Sequence, residues 1–334
     1  MQNNSLALLK KSFKKALLTR LSEQAVQKEY FDNEMKTPVH LSIGAEAISA
    51  GVQACLPEPF QAFGTYRNHA LYLSITEDTD TFFGELFGRV SGCARGKAGS
   101  MHMSAPEKGL IATSAVVGTT IPLAVGAAVA NRIMKKNQQV VVFFGDGAVE
   151  EGVFWESINF ACLQKLPVLF VCEDNHLAIH SHKHARQGFK ALGDVVAGFD
   201  CYYDFGDGSE LTDVIEKTQG MLNKMQANSK PGILHFEYFR FLEHVGPMED
   251  FKFGYREKPE AAEAKHDPLI KAENKLVSMG VDALEIESWK SEFLSKIKQS
   301  MEKARRAPFP DPSELFTDVL TEEPATSNSQ GLSH

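Results

Sequence analysis

The chain reads as an α/β protein, a doubly wound parallel sheet with flanking helices. Three observations predict this. The runs Gln139–Phe144 (QVVVFF) and Pro167–Cys172 (PVLFVC) are continuously apolar, as strands covered on both faces must be. Helix-length segments separate the runs, which forces parallel pairing with right-handed crossovers. The chain has 334 residues, enough for a large two-sided core.

The elements follow in order. Residues 5–34 predict one long helix, because Leu6, Leu9, Phe13, Leu17, Leu18 and Leu21 recur at helical spacing. A second helix spans Gly44–Cys55 and stops before Pro57 and Pro59. Phe63–Leu110 is glycine-rich and mixed, so it reads as functional loops with one short helix near Thr79–Phe87. A small-residue helix follows at Pro122–Lys136, then the strand 139–144, a helix at Glu150–Gln164 and the strand 167–172. A helix at Leu211–Gln226, a strand at Gly232–Phe239 and two helices within Asp267–Arg306 complete the pattern. We therefore expect a single domain over residues 1–307. Residues 308–334, rich in Pro, Ser, Thr and acids, read as a flexible C-terminal tail.

Composition narrows the function. There are 35 Lys+Arg against 43 Asp+Glu, a net charge of −8, which argues against nucleic acid or an anionic membrane as the partner. No apolar run approaches the roughly 20 residues needed to span a bilayer. Five cysteines without C-x-x-C spacing argue against both a disulfide framework and a structural zinc site, and a cytoplasmic location is expected. Up to Ser22 the chain carries Lys10, Lys11, Lys14, Lys15 and Arg20 and no acid, which faintly resembles a transit peptide.

The sharpest motif is Gly145-Asp146-Gly147 at the end of one apolar strand, followed by Asn175 just after the end of the next. The gap, residues 148 to 174, holds 27 residues, which a helix and a strand fill. Both motif ends therefore fall at the carboxyl edge of adjacent parallel strands, where open α/β sheets bind ligands. Asp146 offers a carboxylate and Asn175 an amide oxygen, hard ligands suited to Mg²⁺. Gly145 and Gly147 allow close approach of a phosphate to the backbone, with a helix N-terminus aimed at it.

This spacing resembles the thiamin diphosphate motif. Together with His40–Ala47 (HLSIGAEA), Tyr66–His69 (YRNH), Gly96–Met103 (GKAGSMHM) and Arg240–Asp250, it makes the chain similar to the alpha subunit of the 2-oxo acid dehydrogenase first component. That family includes the pyruvate, branched-chain 2-oxo acid and acetoin dehydrogenases. The resemblance runs from about Leu6 to Pro268 and puts the basic N-terminal stretch on the family's own first helix.

What the resemblance implies can be carried over residue by residue. The fold would be the diphosphate-type thiamin-binding domain, and the cofactors thiamin diphosphate and Mg²⁺. Asp146, Asn175 and the Leu177 carbonyl match the metal ligands. Gly145, Gly147 and Ala148 match the diphosphate turn, Tyr66 and Arg67 match side chains that reach the diphosphate, and Ala115 and Val117 match main-chain contacts to the aminopyrimidine. His244 matches the histidine beside the cofactor that is assigned to acyl transfer to a lipoyl group, and His69 a second active-site histidine. A phosphorylated serine follows the first of these in mammalian members; Val245 stands there here, so kinase control at that position is not expected.

The activity implied is oxidative decarboxylation of a 2-oxo acid with acyl transfer to a lipoyl acyltransferase. Alternatives are an acetoin dehydrogenase, or half of a thiamin-dependent lyase or transferase without a lipoyl partner. Thiamin enzymes take a glutamate from a second α/β domain, and none follows in this chain, so a separate beta subunit and an α₂β₂ heterotetramer are expected.

Two clusters fall outside the motif. His180, His182 and His184 alternate, so a strand would put three imidazoles on one face, as a zinc site requires. The resemblance puts them on a mobile loop without metal, and we read them as solvated or substrate-facing. Phe236, Tyr238, Phe239 and Phe241 read as core and interface.

Overall fold

The computed structural model describes residues 2–35 and 37–317. In chain order its helices and strands are α1 (Gln2–Glu29), α2 (Glu46–Cys55), β1 (Phe60–Thr65), α3 (His69–Thr76), α4 (Thr79–Leu86), β2 (Leu110–Ser114), α5 (Thr120–Ile133), β3 (Gln139–Gly145), α6 (Gly152–Leu163) and β4 (Val168–Asp174). There follow β5 (Leu177–Ala178), β6 (Ser181–His182), α7 (Leu192–Val196), β7 (Tyr202–Asp207), α8 (Leu211–Asn228), β8 (Gly232–Glu237), α9 (Ala262–His266), α10 (Pro268–Ser278) and α11 (Ala283–Arg306).

Six strands form one parallel sheet in the order β2-β1-β3-β4-β8-β7. The strand period of two sends alternate side chains to opposite faces. Val141, Phe143, Leu169, Val171, Leu234 and Phe236 enter one core. Val140, Val142, Phe144, Val168, Phe170 and Cys172 enter the other. Helices cover both, as the apolar runs predict. A third cluster, including Phe13, Leu17, Leu211, Leu276 and Trp289, joins α1 to the helices around it.

The structure differs from the sequence reading in several places. The first helix stops at Glu29 rather than at residue 34; a 3-10 turn at Tyr30–Asp32 follows, and Asn33 adopts a left-handed φ of 58°. The stretch 63–110 begins inside one strand, β1, ends at the start of another, β2, and holds the extra helix α3. Gln61 and Gly64 interrupt the apolar run of β1, and the five-residue β2 is short, so neither carries a clear period. β7 (YYDFGD) was likewise unexpected; among the described residues it is an edge strand paired only with β8, and five of its six side chains are half-buried or exposed.

Glutamate 85 organises the glycine-rich loop after α4. Its Oε2 accepts from the N–H groups of Ala94 and Gly96, and its Oε1 from those of Ala98 and Gly99. The segment expected to begin a tail packs on this loop. Val90 N–H donates to the Pro308 carbonyl, the Arg89 guanidinium lies 3.7 Å from the Phe309 ring centroid, and Arg95 pairs with Glu314 at 2.7 Å. Residues 318–334 lie outside the described residues.

Candidate active site

The chain reverses direction across the sheet between β1 and β3: β2 lies to one side and the later strands to the other. Such a switch point opens a crevice at the carboxyl ends of the strands. Here it is a cleft of about 260 Å³. The end of β1 brings Tyr66 and Arg67, the end of β3 brings Asp146 to Ala148, and the end of β4 brings Asn175 and Leu177. Val117 lines the rim, as does His244 from the loop after β8. Ala115 sits between Ser114 and Val116, which line the cleft, but is not itself on the wall.

At the floor, Asp146 is 2 % exposed. Burial and the neighbouring Asp174 push its carboxyl pKa up, and the Arg186 guanidinium pulls it back. The Asn175 amide is oriented at both ends: Nδ2 donates to the Tyr238 hydroxyl at 2.9 Å, and Oδ1 accepts from the Leu177 N–H at 3.1 Å. A side chain on Gly147 would bring Cβ within 3.0 Å of the Ala178 Cβ, so this turn lies tight against the strand opposite. Glu173 also lines the floor; burial raises its pKa to about 8, against the pull of Arg67 and Ser49.

The rim is a cluster of rings around Arg67. His40 lies 4.5 Å from Tyr66 and 5.1 Å from His244, and Tyr66 lies 5.7 Å from His244. Arg67 fixes the cluster by donating to the Leu41 carbonyl at 2.5 Å and the His244 carbonyl at 3.1 Å. Burial and the charge of Arg67 lower the pKa of His40 and of His244 to about 3, so both rings are neutral at pH 7. His40 Nδ1 is buried without a hydrogen-bond partner. Arg240 holds the loop that bears His244, donating to the carbonyls of Leu242 (3.0 Å) and Ile179 (3.1 Å) and to Asp250 (3.2 Å). Gly246 donates to the Val39 carbonyl at 2.8 Å and has φ +120°, with the Glu243 carboxylate where a Cβ would go.

His69 is placed elsewhere than its expected catalytic role requires. It is fully buried, with Nδ1 3.0 Å from Glu23 Oε1 and Nε2 2.8 Å from Ser100 Oγ. A Ser-His-Glu arrangement of this kind has nucleophile geometry but no accessible surface on the ring, so it braces the start of α3 behind Tyr66 and Arg67.

The alternating histidines do not converge. His180 packs on Tyr255 at 4.6 Å, His182 Nε2 contacts the Tyr255 carbonyl at 2.6 Å, and His184 stacks on His182 at 5.5 Å. Among the described residues only Asp174, His235 and Glu237 bring three metal-ligating atoms together. The Lys183 ammonium already pairs with Asp174 there. Burial would raise the pKa of Asp174, but His235 and Lys183 bring it well below the usual carboxylate range. Phe236, Tyr238 and Phe241 are buried, and Phe239 stacks on Phe251, as expected of core residues.

Sequence reasoning missed His40, Glu173 and Arg186 as site residues. His40 opens the HLSIGAEA run and could have been found there. Arg186 lies four residues past the end of β6, in a loop whose histidines drew attention instead.

Comparison with known proteins agrees with this geometry. The family model described as the dehydrogenase E1 component matches residues 14–313. The pyruvate dehydrogenase E1 component subunit alpha of Zymomonas mobilis is 32 % identical over 282 residues, covering 84 % of this chain and 79 % of its own. The corresponding subunit of Rhizobium meliloti is 30 % identical over 314 residues, covering 93 % and 89 %. The mitochondrial alpha-1 subunit of Oryza sativa is 29 % identical over 313 residues, covering 92 % and 78 %. With the motif, the cleft at the switch point and a match over most of its length in agreement, the chain belongs to the dehydrogenase E1 component family.

Proposed function

We propose that the chain is the alpha half of an enzyme that oxidatively decarboxylates a 2-oxo acid and passes the acyl group to a lipoyl acyltransferase, with Mg²⁺ and thiamin diphosphate held in the cleft. The observation that carries this reading is the convergence of Asp146, Asn175 and Leu177 on one floor beneath Arg67 and His244. The residues present fit the group. Asp146 and Asn175 are oxygen donors of the kind Mg²⁺ takes, and the Leu177 carbonyl supplies a third. The Gly147–Ala148 turn presents N–H groups, and Arg67 offers a guanidinium suited to phosphate oxygens.

When bound, thiamin diphosphate supplies the electron sink that decarboxylation needs. The protein's own part is placement and proton handling. Tyr66 and Arg67 would hold the diphosphate end. The main chain around Ala115 and Val117 would hold the aminopyrimidine end. Neutral His244 at the open mouth of the cleft can donate its ring N–H to a substrate oxygen, and neutral His40 packs beside it. His69 acts only by supporting α3.

The rim also bears on partners. Val116 and Val117 are exposed (63 % and 46 %) although they border the cleft. A beta subunit seated there, in an α₂β₂ assembly, would cover them and close the site against water. No described helix is long and apolar enough to cross a membrane. The alternatives without a lipoyl acceptor have no observation in their favour.

The test uses the chain co-purified with its beta subunit. Calorimetry should show Mg²⁺-dependent binding of thiamin diphosphate, and Asp146→Ala should weaken it by at least about 100-fold. Pyruvate or another short 2-oxo acid should drive reduction of lipoamide. Unchanged cofactor binding in D146A would remove the metal assignment, and turnover of a 2-oxo acid without lipoamide reduction would favour a lyase.

A further inference from the structure

We infer that Arg186 is a positioning residue for the metal ligand Asp146: it braces the carboxylate from outside the cleft and so presents the second oxygen to Mg²⁺. The inference rests on the reading of the cleft as a Mg²⁺–thiamin diphosphate site, and it concerns a side chain that lines no part of that cleft.

Arg186 lies in the irregular segment after β6, and its side chain is only 11 % exposed. Three of its donor groups are committed. Nη2 donates to Asp146 Oδ2 at 2.5 Å, Nη1 donates to Glu150, and Nε donates to the Ser181 carbonyl at 3.0 Å. The guanidinium thus spans the turn Asp146–Glu150 and ties both of its acids to one planar fork. Gln187 adds a second tie, with Nε2 3.1 Å from Glu150 Oε1 and 3.4 Å from the Asp146 carbonyl. Asp146 lines the cleft, whereas Arg186 does not. One carboxylate oxygen is therefore held from behind by the brace, which leaves Oδ1 as the oxygen for a metal.

Charge supports the same role. Asp146 lies close enough to Asp174 for the two acids to repel, and both are buried. The segment 181–187 answers each with one cation, Lys183 for Asp174 and Arg186 for Asp146. Glu150 shares the guanidinium, so Arg186, Asp146 and Glu150 together keep one net negative charge. The brace orients the ligand without cancelling its attraction for a divalent cation. Outer partners that orient metal ligands commonly set affinity by about 10- to 100-fold.

The experiment measures Mg²⁺ affinity by calorimetry on the cofactor-stripped enzyme assembled with its beta subunit, at saturating thiamin diphosphate. Arg186→Gln is expected to weaken Mg²⁺ binding by about 10- to 100-fold. Excess Mg²⁺ should then restore both thiamin diphosphate affinity and the thermal shift on loading, because only the metal's ligand has been loosened. R186K, which keeps the charge and loses the fork, should fall between R186Q and the unaltered enzyme; it also serves if R186Q does not fold. Lys183→Gln removes the other cation of the segment, whose carboxylate is not a ligand, and should not weaken Mg²⁺ binding.

Unchanged or tighter Mg²⁺ binding in R186Q would overturn the inference, as would equal weakening in R186Q and K183Q, which would mark a purely structural role of the segment. If the unaltered enzyme bound no Mg²⁺–thiamin diphosphate, the reading of the cleft and this inference would both fall. If it bound and R186Q matched it, only the inference would fall.

Discussion

At the scale of single residues, the rim histidines make the clearest statement. His40 and His244 are buried beside Arg67, and their pKa values fall to about 3, whereas the unfolded chain takes up those protons near pH 6.5. The folded state therefore binds fewer protons than the unfolded state between these values. The stability this contributes is present above about pH 6.5 and is lost as pH falls toward 3. Thermal unfolding followed from pH 7 to pH 4 should show a falling midpoint, and His40→Gln should flatten that slope; an equal slope in H40Q would show that His40 is not held neutral. Burial is the larger cause and the charge of Arg67 the second in both, and Arg67 also ties the Leu41 and His244 carbonyls. One guanidinium thereby adds to the shift of two imidazoles and ties the backbone beside each.

At the scale of elements, the loop after α4 depends on one carboxylate. A hydrogen bond contributes about 0.5–1.5 kcal/mol net, so Glu85→Ala, which removes the acceptor of the half-buried donors of Ala94, Gly96, Ala98 and Gly99, should destabilise the protein by about 4 kcal/mol. Urea unfolding measures this, and E85Q should recover part of it, since its amide keeps one acceptor oxygen. Nothing in the sequence marks Glu85 for this task, because its partners are backbone groups up to fourteen residues away. The same reason explains what else could not be read. β3, β4 and β8 were legible because strands buried on both faces need apolar side chains throughout. β1 and β7 were not, because their mixed side chains report packing against neighbours rather than an intrinsic period. In the site, Asp146 and Asn175 were legible from strand ends and spacing. Tyr66, Arg67 and His244 came only through the resemblance. His69 matched a pattern but turned inward, and Arg186 reaches Asp146 through a fold in the loop that no spacing encodes.

At the scale of the whole molecule, one side of the sheet is left with large apolar groups in the open. Leu123 and Ile133 on α5 and Leu163 on α6 are 54 %, 73 % and 72 % exposed, and Met134 follows Ile133. Patches of this kind mark interaction surfaces. Leu123 lies in the first turns of α5, near the Val116–Val117 rim, whereas Ile133 and Leu163 end α5 and α6 toward the opposite sheet edge, and we propose that the beta subunit covers them too. Ile133→Glu together with Leu163→Glu should shift co-expressed subunits from a complex to separate species in size-exclusion chromatography with light scattering; an intact complex would place the partner elsewhere. The strand order has a further consequence, for the protein as it is being made. Among the described residues β7 has no neighbour but β8, and β8 must enter between β4 and β7. On the ribosome, residues 202–207 emerge before 232–237 and must wait unpaired until the later strand leaves the exit tunnel. The sheet cannot grow outward strand by strand during translation. Its last two strands dock only after α8 has been synthesised, so a pause in elongation just before residue 232 would leave a half-built sheet with an open edge for chaperones to guard.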